Sequence, residues 1–169
     1  HAYINRGLLF NDLHLWQQGL SDYERSMAID PDNALTRWNK SLTLLLMGDF
    51  KAGWPLYEYR WYNEKTGMRP RDFKQALWLG NFDIAGQTIL LHAEQGLGDT
   101  LQFCRYAKLV QGLGARVVLE APAPLLRVLK GLAGVDEWAI QGQPLPAFDV
   151  HCPLLSLPLA LDTQLDTIP

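Results

Sequence analysis

The stretch HAEQGLGDTLQFCRY, residues 92–106, decides the fold, because a strand pattern ends in it and a helical pattern begins. The strand pattern is QTILLHA at 87–93, a short apolar run that is typical of a central parallel strand. The helical pattern occupies 99–112 and ends at Gly112 and Gly114. Four residues form its predicted apolar face: Leu101, Cys104, Ala107 and Val110. The sequence therefore predicts a βα unit with a glycine-containing turn between strand and helix.

Three further strand patterns extend this unit into a sheet. They are ARVVLEA at 115–121, EWAIQ at 137–141 and FDVHCPL at 148–154, and a helix that opens at Pro122 and Pro124 is expected to run to 133. The order β-α-β-α-β-β begins a doubly wound parallel sheet. With the spatial order third, second, first, fourth, a crevice opens between the first and fourth strands. We expect the loop at 94–100 and the turn at 155–157 to face each other there.

The first sixty residues contain an internal repeat with a period of 34. The unit AYINRGLLFNDLHLWQQGLSDYERSMAIDPDN resembles a tetratricopeptide repeat, with Gly7, Phe10, Tyr23 and Pro31 at that family's small, aromatic and proline positions. Displacement by one period pairs like residues: Asn5 with Asn39, Leu8 with Leu42, Leu13 with Met47, Gly19 with Gly53, and Tyr23 with Tyr57.

Each repeat is expected to fold as two antiparallel helices. The expected helices are 2–14, 18–29, 35–47 and 52–64, with Asn33 as the N-cap of the third and GDF at 48–50 as a turn. The domain prediction is thus two helical hairpins at 1–64, a linker at 65–85 with a short helix around 71–77, and an incomplete Rossmann-like half at 86–169. The fold class is helical repeats followed by α/β.

Composition limits the classes of function. The net charge is −3, so no basic surface favours nucleic acid, and no run approaches the roughly 18 apolar residues that span a bilayer. Two cysteines are too few for a disulfide-stapled secreted domain, which predicts a reducing, cytoplasmic compartment. The first residue is His1 and the chain ends in LDTIP, so we expect a fragment of a longer protein.

The turn at 96–99 admits two interpretations from its residues alone. Gly96 and Gly98 supply part of a dinucleotide-binding motif, and Glu120 ends the second strand where a ribose-binding acid belongs. However, Leu101 replaces the third glycine, and Asp99 places a carboxylate where a pyrophosphate would bind the helix N-terminus. In the structural interpretation, Asp99 is an N-cap and the glycines permit a tight turn. We expect no cofactor.

A third interpretation comes from a family resemblance. TILLHAEQGLGDTLQFCRYAKLV, GARVVLEAPAPLLRVL and FDVHCPLLSLPLAL resemble the N-terminal half of heptosyltransferase-like glycosyltransferases, which have two facing Rossmann-like domains. The whole chain resembles bacterial proteins that join tetratricopeptide repeats to such a domain. The resemblance implies that Asp99 is the general base that activates an acceptor hydroxyl, a role that carboxylates perform in many enzymes. The predicted substrate-binding residues around it are these: Glu94, Gln95, Gly96, Gly98, Thr100 and Ser156.

The resemblance also implies what the chain lacks. The domain that binds the nucleotide-sugar donor in this family has no counterpart here, so we expect the fragment to be inactive alone. The expected partners are a protein or peptide at the repeats and a glycosyl acceptor in the crevice. FCRY stands where heptosyltransferases often carry a proline, which leaves the acceptor open. The alternatives are a non-enzymatic interaction module and a fragment of a dinucleotide-binding oxidoreductase.

Four other residues are of types that can bind a metal ion. His92, His151, Cys104 and Cys152 show neither C-x-x-C nor H-x-x-x-H spacing, so no metal site is predicted. The two histidines alternate with apolar residues on expected strands, which favours a place in the core or at the crevice edge.

Overall fold

A computed structural model describes residues 1–63 and 67–169. It divides the chain into two compact units, one formed by 1–72 with 163–168 and the other by 73–162 with Pro169. The expected boundary between repeats and linker, at residues 64 and 65, lies outside the described residues.

The first unit is helical. Its helices are α1 (Ala2–Asp12), α2 (Trp16–Ile29), α3 (Ala34–Leu46) and α4 (Phe50–Tyr57), and a 3-10 helix follows at Glu58–Tyr62. Helix α1 packs on α2, α2 on α3, and α3 on α4. The four expected helices are present, and the first three begin and end within two residues of the expectation. The fourth, expected at 52–64, begins at Phe50 and already ends at Tyr57. A second 3-10 helix, Leu165–Thr167, also belongs to this unit.

The two helix pairs repeat one packing detail. A Cβ added to Gly19 would lie 2.5 Å from the side-chain oxygen of Asn11, and one added to Gly53 would lie 2.6 Å from Cδ2 of Leu45. Asn11 and Leu45 are separated by the same 34 residues as Gly19 and Gly53. The period in the sequence is therefore also a period in the packing, because an added Cβ would also lie 3.2 Å from a backbone atom in each pair and the close approach of the helices favours glycine at both positions.

Helix starts in this unit follow the expected capping chemistry. The Asn33 side chain accepts a hydrogen bond from the Thr36 amide at 3.0 Å, which confirms it as the N-cap of α3. Asp49 caps α4 in the same way through Ala52, after Gly48 with φ of +83° makes the expected turn. Pro55 lies beyond the first turn of α4, where proline removes a helical donor, and the helix gives way to 3-10 geometry at Glu58.

The second unit is built on a five-stranded parallel sheet. Its strands are β1 (Ala76–Leu77), β2 (Thr88–His92), β3 (Arg116–Ala121), β4 (Glu137–Ile140) and β5 (Val150–Pro153), in the order β1-β5-β2-β3-β4. The four expected strands are confirmed, and so is their order. The central strand β2 is flanked by β3 and β5, so its residues Ile89, Leu90 and Leu91 have no exposed surface.

The predicted helix around 71–77 is wrong. Ala76 and Leu77 instead form β1, an edge strand that pairs with Val150 and His151 of β5. The Trp78 amide continues the ladder by donating to the His151 carbonyl at 2.8 Å. Both residues of β1 are exposed, so no apolar alternation marked this strand in the sequence.

The predicted helices of the α/β half are shorter or interrupted. The helix expected at 99–112 consists of α5 (Leu97–Phe103), a 3-10 turn at Cys104–Tyr106, and α6 (Ala107–Gly112). Leu101 of the expected apolar face is 43% exposed, whereas Phe103 and Tyr106 are buried. The helix expected to run to 133 is a 3-10 turn, Ala123–Leu125, with α7 (Leu126–Leu129), and α8 (Leu157–Ala160) completes the unit.

Gly134 places the connection between α7 and β4 directly against α6. Its φ is +87°, and an added Cβ would lie 2.2 Å from the Cα atom of Lys108. Gly131, in the same connection, has a similar φ of +92° but has no atom within 4 Å of an added Cβ. Substitution of these two glycines therefore distinguishes the energetic cost of a left-handed backbone from the cost of steric overlap with α6.

We predict that Gly134→Ala lowers the free energy of unfolding by about 3–5 kcal/mol, because it adds backbone overlap to the left-handed penalty. Gly131→Ala should lose only the left-handed penalty, about 1–2 kcal/mol. Urea unfolding followed by circular dichroism measures both. Equal losses for the two variants would show that contact with α6 does not constrain this turn.

Candidate functional site

The candidate site lies at the carboxyl ends of β2 and β5, which are neighbours in the sheet. After β2 the chain enters α5 and crosses to β3, whereas β5 lies on the other side of β2. The strand order therefore reverses between β2 and β5, and crevices of α/β sheets form at such points. Helix α5 contacts the 3-10 turn Leu154–Ser156 that follows β5. The two connections lie next to each other, as expected.

Asp99 is the only acidic residue in the first turn of α5, and its carboxylate closes that turn. The N-cap is Gly96, and Oδ2 of Asp99 accepts a hydrogen bond from the Gly96 amide at 2.9 Å. The prediction that Asp99 is itself the N-cap is wrong, because the helix begins at Leu97 and Asp99 is its third residue. The side chain is half-buried. It is thus fixed in direction and still accessible to a solute.

Gly96 and Gly98 are exposed, and the structure explains only one of them. A Cβ at Gly96 would lie 3.2 Å from Oδ2 of Asp99, so glycine relieves crowding around the capping bond. Nothing lies within 4 Å of a Cβ added at Gly98, and Gly98 is already helical without a positive φ. Glycine in a helix is less favourable than alanine by about 1 kcal/mol. Neither packing nor backbone geometry within the chain requires glycine at this position.

The remaining predicted substrate-binding residues differ in accessibility. Glu94 and Gln95 are half-buried in the loop that leads from β2 to α5. Thr100 is buried, and its hydroxyl donates to the Gly96 carbonyl at 3.2 Å, which is a structural role. Ser156 has no exposed surface, so the structure does not place it on the crevice wall. Accessible polar groups are therefore concentrated at residues 94–99.

Two buried histidines meet beneath this loop. His92 ends β2, His151 lies on β5, and Nε2 of His92 is 3.2 Å from Nδ1 of His151. Phe73 packs edge-on against both rings, with centroid distances of 5.7 Å to His92 and 4.8 Å to His151. A hydrogen bond between two imidazoles requires a proton on one nitrogen only, so the pair links the two strands at the point where the order reverses.

Glu120 lies beside this pair on β3. It is the register partner of His92 on one side and of Ala139 on the other, and it has no exposed surface. A ribose-binding acid must reach the ligand from the strand end, which a fully buried side chain cannot do without rearrangement. The geometry therefore disfavours the dinucleotide interpretation.

Both cysteines lie in surroundings that are typical of structural rather than reactive cysteines. Neither Cys104 nor Cys152 forms a disulfide, and both are buried. Burial raises the pKa of the Cys104 thiol, which reduces its thiolate fraction and its reactivity at neutral pH. Among residues 1–63 and 67–169, no group of three or more histidine, cysteine or acidic side chains is arranged to hold a metal ion.

Sequence reasoning missed two features of this region. The contact between His92 and His151 joins residues 59 apart, and nothing in their local spacing marks it. Phe73 lies in the segment assigned to a linker, but it packs on the face of the sheet formed by Leu90, Val118 and Ala139. Its flanking residues, Asp72 and Lys74, are polar, so the sequence gives no apolar run around it.

The fold places the chain among proteins that combine packed helix pairs with a parallel α/β sheet. No protein-family model matches it. Over 118 residues it is 31% identical to Protein FlbA of Caulobacter vibrioides, an alignment that covers 67% of this chain. The chain spans about one fifth of the length of that curated relative, since the alignment covers 20% of it. In the part of the chain that the structure describes, no helix has the length and apolar character needed to cross a membrane.

We predict that Asp99→Ala lowers the free energy of unfolding by about 1 kcal/mol, because the Gly96 amide loses its acceptor. Asp99→Asn should lose less, about 0.5 kcal/mol, because an amide oxygen can still accept that bond while the favourable charge at the helix start is lost. Urea unfolding of both variants beside the wild type gives the comparison. An alanine variant as stable as the wild type would contradict the capping role.

Proposed function

We propose that this chain is the acceptor-side half of a glycosyltransferase, joined to tetratricopeptide-like repeats that bind a protein or peptide. The α/β unit is then the N-terminal Rossmann-like half of a heptosyltransferase-like enzyme. The observation that carries the proposal is the half-buried Asp99 carboxylate in the first turn of α5, the helix that follows the central strand where the strand order reverses. Crevices at such points are where open α/β sheets bind their ligands.

Asp99 has the properties that a general base for glycosyl transfer needs. The described hydrogen bond of its carboxylate engages Oδ2 alone, so Oδ1 can accept a proton from an acceptor hydroxyl. As that proton moves to Asp99, the hydroxyl oxygen forms a bond to the anomeric carbon, and the bond from that carbon to the nucleoside diphosphate breaks. The Gly96 amide fixes the direction of the carboxylate, which favours a productive approach of the hydroxyl.

The open space at Gly98 supports a ligand close to the backbone. An exposed helical glycine that no packing requires is what a turn needs where another molecule approaches closely. Glu94 and Gln95 offer polar groups beside it for the hydroxyls of an acceptor. Thr100 and Ser156 are buried, so we assign them to the structure of the turn rather than to acceptor contacts.

In this proposal, the site for the nucleotide-sugar donor lies on polypeptide that is not part of this sequence. A second domain would supply the nucleotide-sugar site, and without it we expect no transfer. Two cysteines that form no disulfide agree with a reducing, cytoplasmic location, which we include in the proposal. The competing function is a non-enzymatic interaction module. The hydrogen bond from the Gly96 amide to Asp99 supports this alternative, because a purely structural capping role would by itself account for an aspartate at position 99.

We predict that Asp99→Asn, made in the complete parent protein, lowers the transfer rate about 10²–10⁴-fold, because the amide keeps the capping bond but cannot accept the proton. The measurement is release of nucleoside diphosphate from a panel of nucleotide sugars with acceptor extracts, at substrate concentrations that give kcat. Asn at position 99 tests catalysis separately from folding. Wild-type turnover in a folded Asp99→Asn protein would leave Asp99 as a structural residue and remove the catalytic assignment.

We predict opposite effects of Gly98→Ala on stability and activity. The substitution should raise the free energy of unfolding by about 0.5–1 kcal/mol, since it removes a helical glycine from open space. It should lower turnover in the parent protein, because the new methyl group occupies the approach to the turn. Gly112→Ala is the matched control: Gly112 is also a helical, exposed glycine with open space, and it lies at the end of α6. Equal activity of the two variants would exclude a ligand at Gly98.

A further inference from the structure

A pocket of the α/β unit lies at the opposite edge of the sheet from the candidate site. Its volume is about 380 Å³, and the side chains that line it include the following: Trp78, Phe82, Asp83, Ile84, Leu113 and Leu161. The loop at 78–87 leads to the amino end of β2, and Leu113 stands between α6 and the amino end of β3. Because β2 and β3 are parallel, these two ends lie at one edge of the sheet, and we call the cavity the amino-edge pocket.

The wall formed by the loop at 78–82 is held in place by contacts within the unit. The indole Nε1 of Trp78 donates a hydrogen bond to the Phe82 carbonyl at 3.0 Å. Gly80 has a φ of +81°, and an added Cβ would lie 2.1 Å from the carbonyl oxygen of Ala160 at the end of α8. The loop therefore packs on α8 through its backbone. A pocket with fixed walls binds a ligand without a large cost for ordering the protein.

The lining of the amino-edge pocket is mostly apolar, and part of it faces solvent. Trp78 and Ile84 are 2% and 1% exposed, so they form the inner part of the lining. Phe82 and Leu113 are 38% and 45% exposed, so they form its outer part. Apolar walls with a few polar groups are typical of sites for small molecules.

Asp83 gives this apolar lining a negative charge. Its side chain is exposed, and Oδ1 accepts a hydrogen bond from the Ala85 amide at 2.9 Å, which fixes the direction of the carboxylate. Among the described residues that line the pocket, none is a lysine, an arginine or a histidine. The field in the pocket therefore attracts cations and repels anions. The adjacent Phe82 ring adds to this preference, because the face of an aromatic ring attracts cations.

We infer that the amino-edge pocket binds a small organic amine, in which a protonated amino group is attached to an apolar body. The ammonium group pairs with the Asp83 carboxylate, and the apolar body lies against Phe82 and Leu113. The volume of about 380 Å³ is near the lower end of the range for ligand pockets, roughly 300–1,000 Å³, so it suits one small molecule rather than a peptide. This site is separate from the proposed function, because it does not involve Asp99.

The test uses phenethylammonium as the probe and 2-phenylethanol and 3-phenylpropanoate as its neutral and anionic counterparts. Each is titrated into residues 1–169 while two-dimensional NMR follows the indole N–H signal of Trp78. Phenethylammonium should give saturable shifts with a dissociation constant below about 1 mM. The alcohol should bind about three- to fivefold more weakly, as expected for loss of an exposed ion pair, and the anion should not saturate.

Two variants separate the charged contact from the apolar contact. Asp83→Asn keeps an acceptor for the Ala85 amide, and it should lower the affinity for phenethylammonium about three- to fivefold without changing that for 2-phenylethanol. Phe82→Ala keeps the carbonyl that binds Trp78, and it should weaken both probes about tenfold. Asp99→Asn is the control for binding in the crevice, and it should leave the affinities of both probes unchanged.

Three results would overturn the inference. The first is the absence of saturable shifts of the Trp78 signal up to about 10 mM phenethylammonium. The second is equal affinity for phenethylammonium and 2-phenylethanol, which would show that the pocket does not select a cation. The third is loss of phenethylammonium binding in Asp99→Asn but not in Asp83→Asn, which would place the amine in the crevice instead.

Discussion

The backbone pairing of β2 with β5 is the constraint on which the candidate site depends. Strand β2 is central, and its other neighbour, β3, follows it in the chain, so β5 must return across the sheet to lie beside it. The strand order therefore reverses between β2 and β5, and the turn at 96–99 follows β2 at this point. The same pairing brings the His92 and His151 rings together below the turn. Loss of this register would displace both the histidine pair and the start of α5.

In the proposed function, the Asp99 carboxylate satisfies a structural and a chemical demand together. A helix start needs an acceptor for a free amide, and a general base needs a fixed direction and an accessible oxygen. The Gly96 amide binds one oxygen, and this bond orients the other. The capping bond therefore does not compete with the proposed chemistry, because it immobilises a group that would otherwise rotate. Discrimination between the two roles requires a substitution that preserves the acceptor and removes basicity.

Local sequence patterns predicted the parts of the fold that local forces determine. Strands β2, β3 and β5 are short runs that are buried on both faces over nearly their whole length. The four helices of the first unit carry a period and caps such as Asn33. Strand β1 was missed because two exposed residues acquire their conformation only from the edge of β5. The position of Asp99 in its helix was predicted wrongly by three residues, since a glycine N-cap offers no side-chain signal. The histidine pair depends on strand order, which no local spacing encodes.

The two glycines of the turn differ in whether packing within the chain accounts for the absence of a side chain. Gly96 has a reason within the chain, because its missing side chain leaves room for the Asp99 oxygen. Gly98 has none: its backbone is ordinary, its surroundings are open, and its presence weakens a seven-residue helix. A residue that breaks a local rule without compensation inside the fold points to a demand from outside it. In the proposed function, that demand is the approach of a ligand to the backbone beside the Asp99 carboxylate, whereas Gly112, which is equally open, lies at the end of α6, away from that carboxylate.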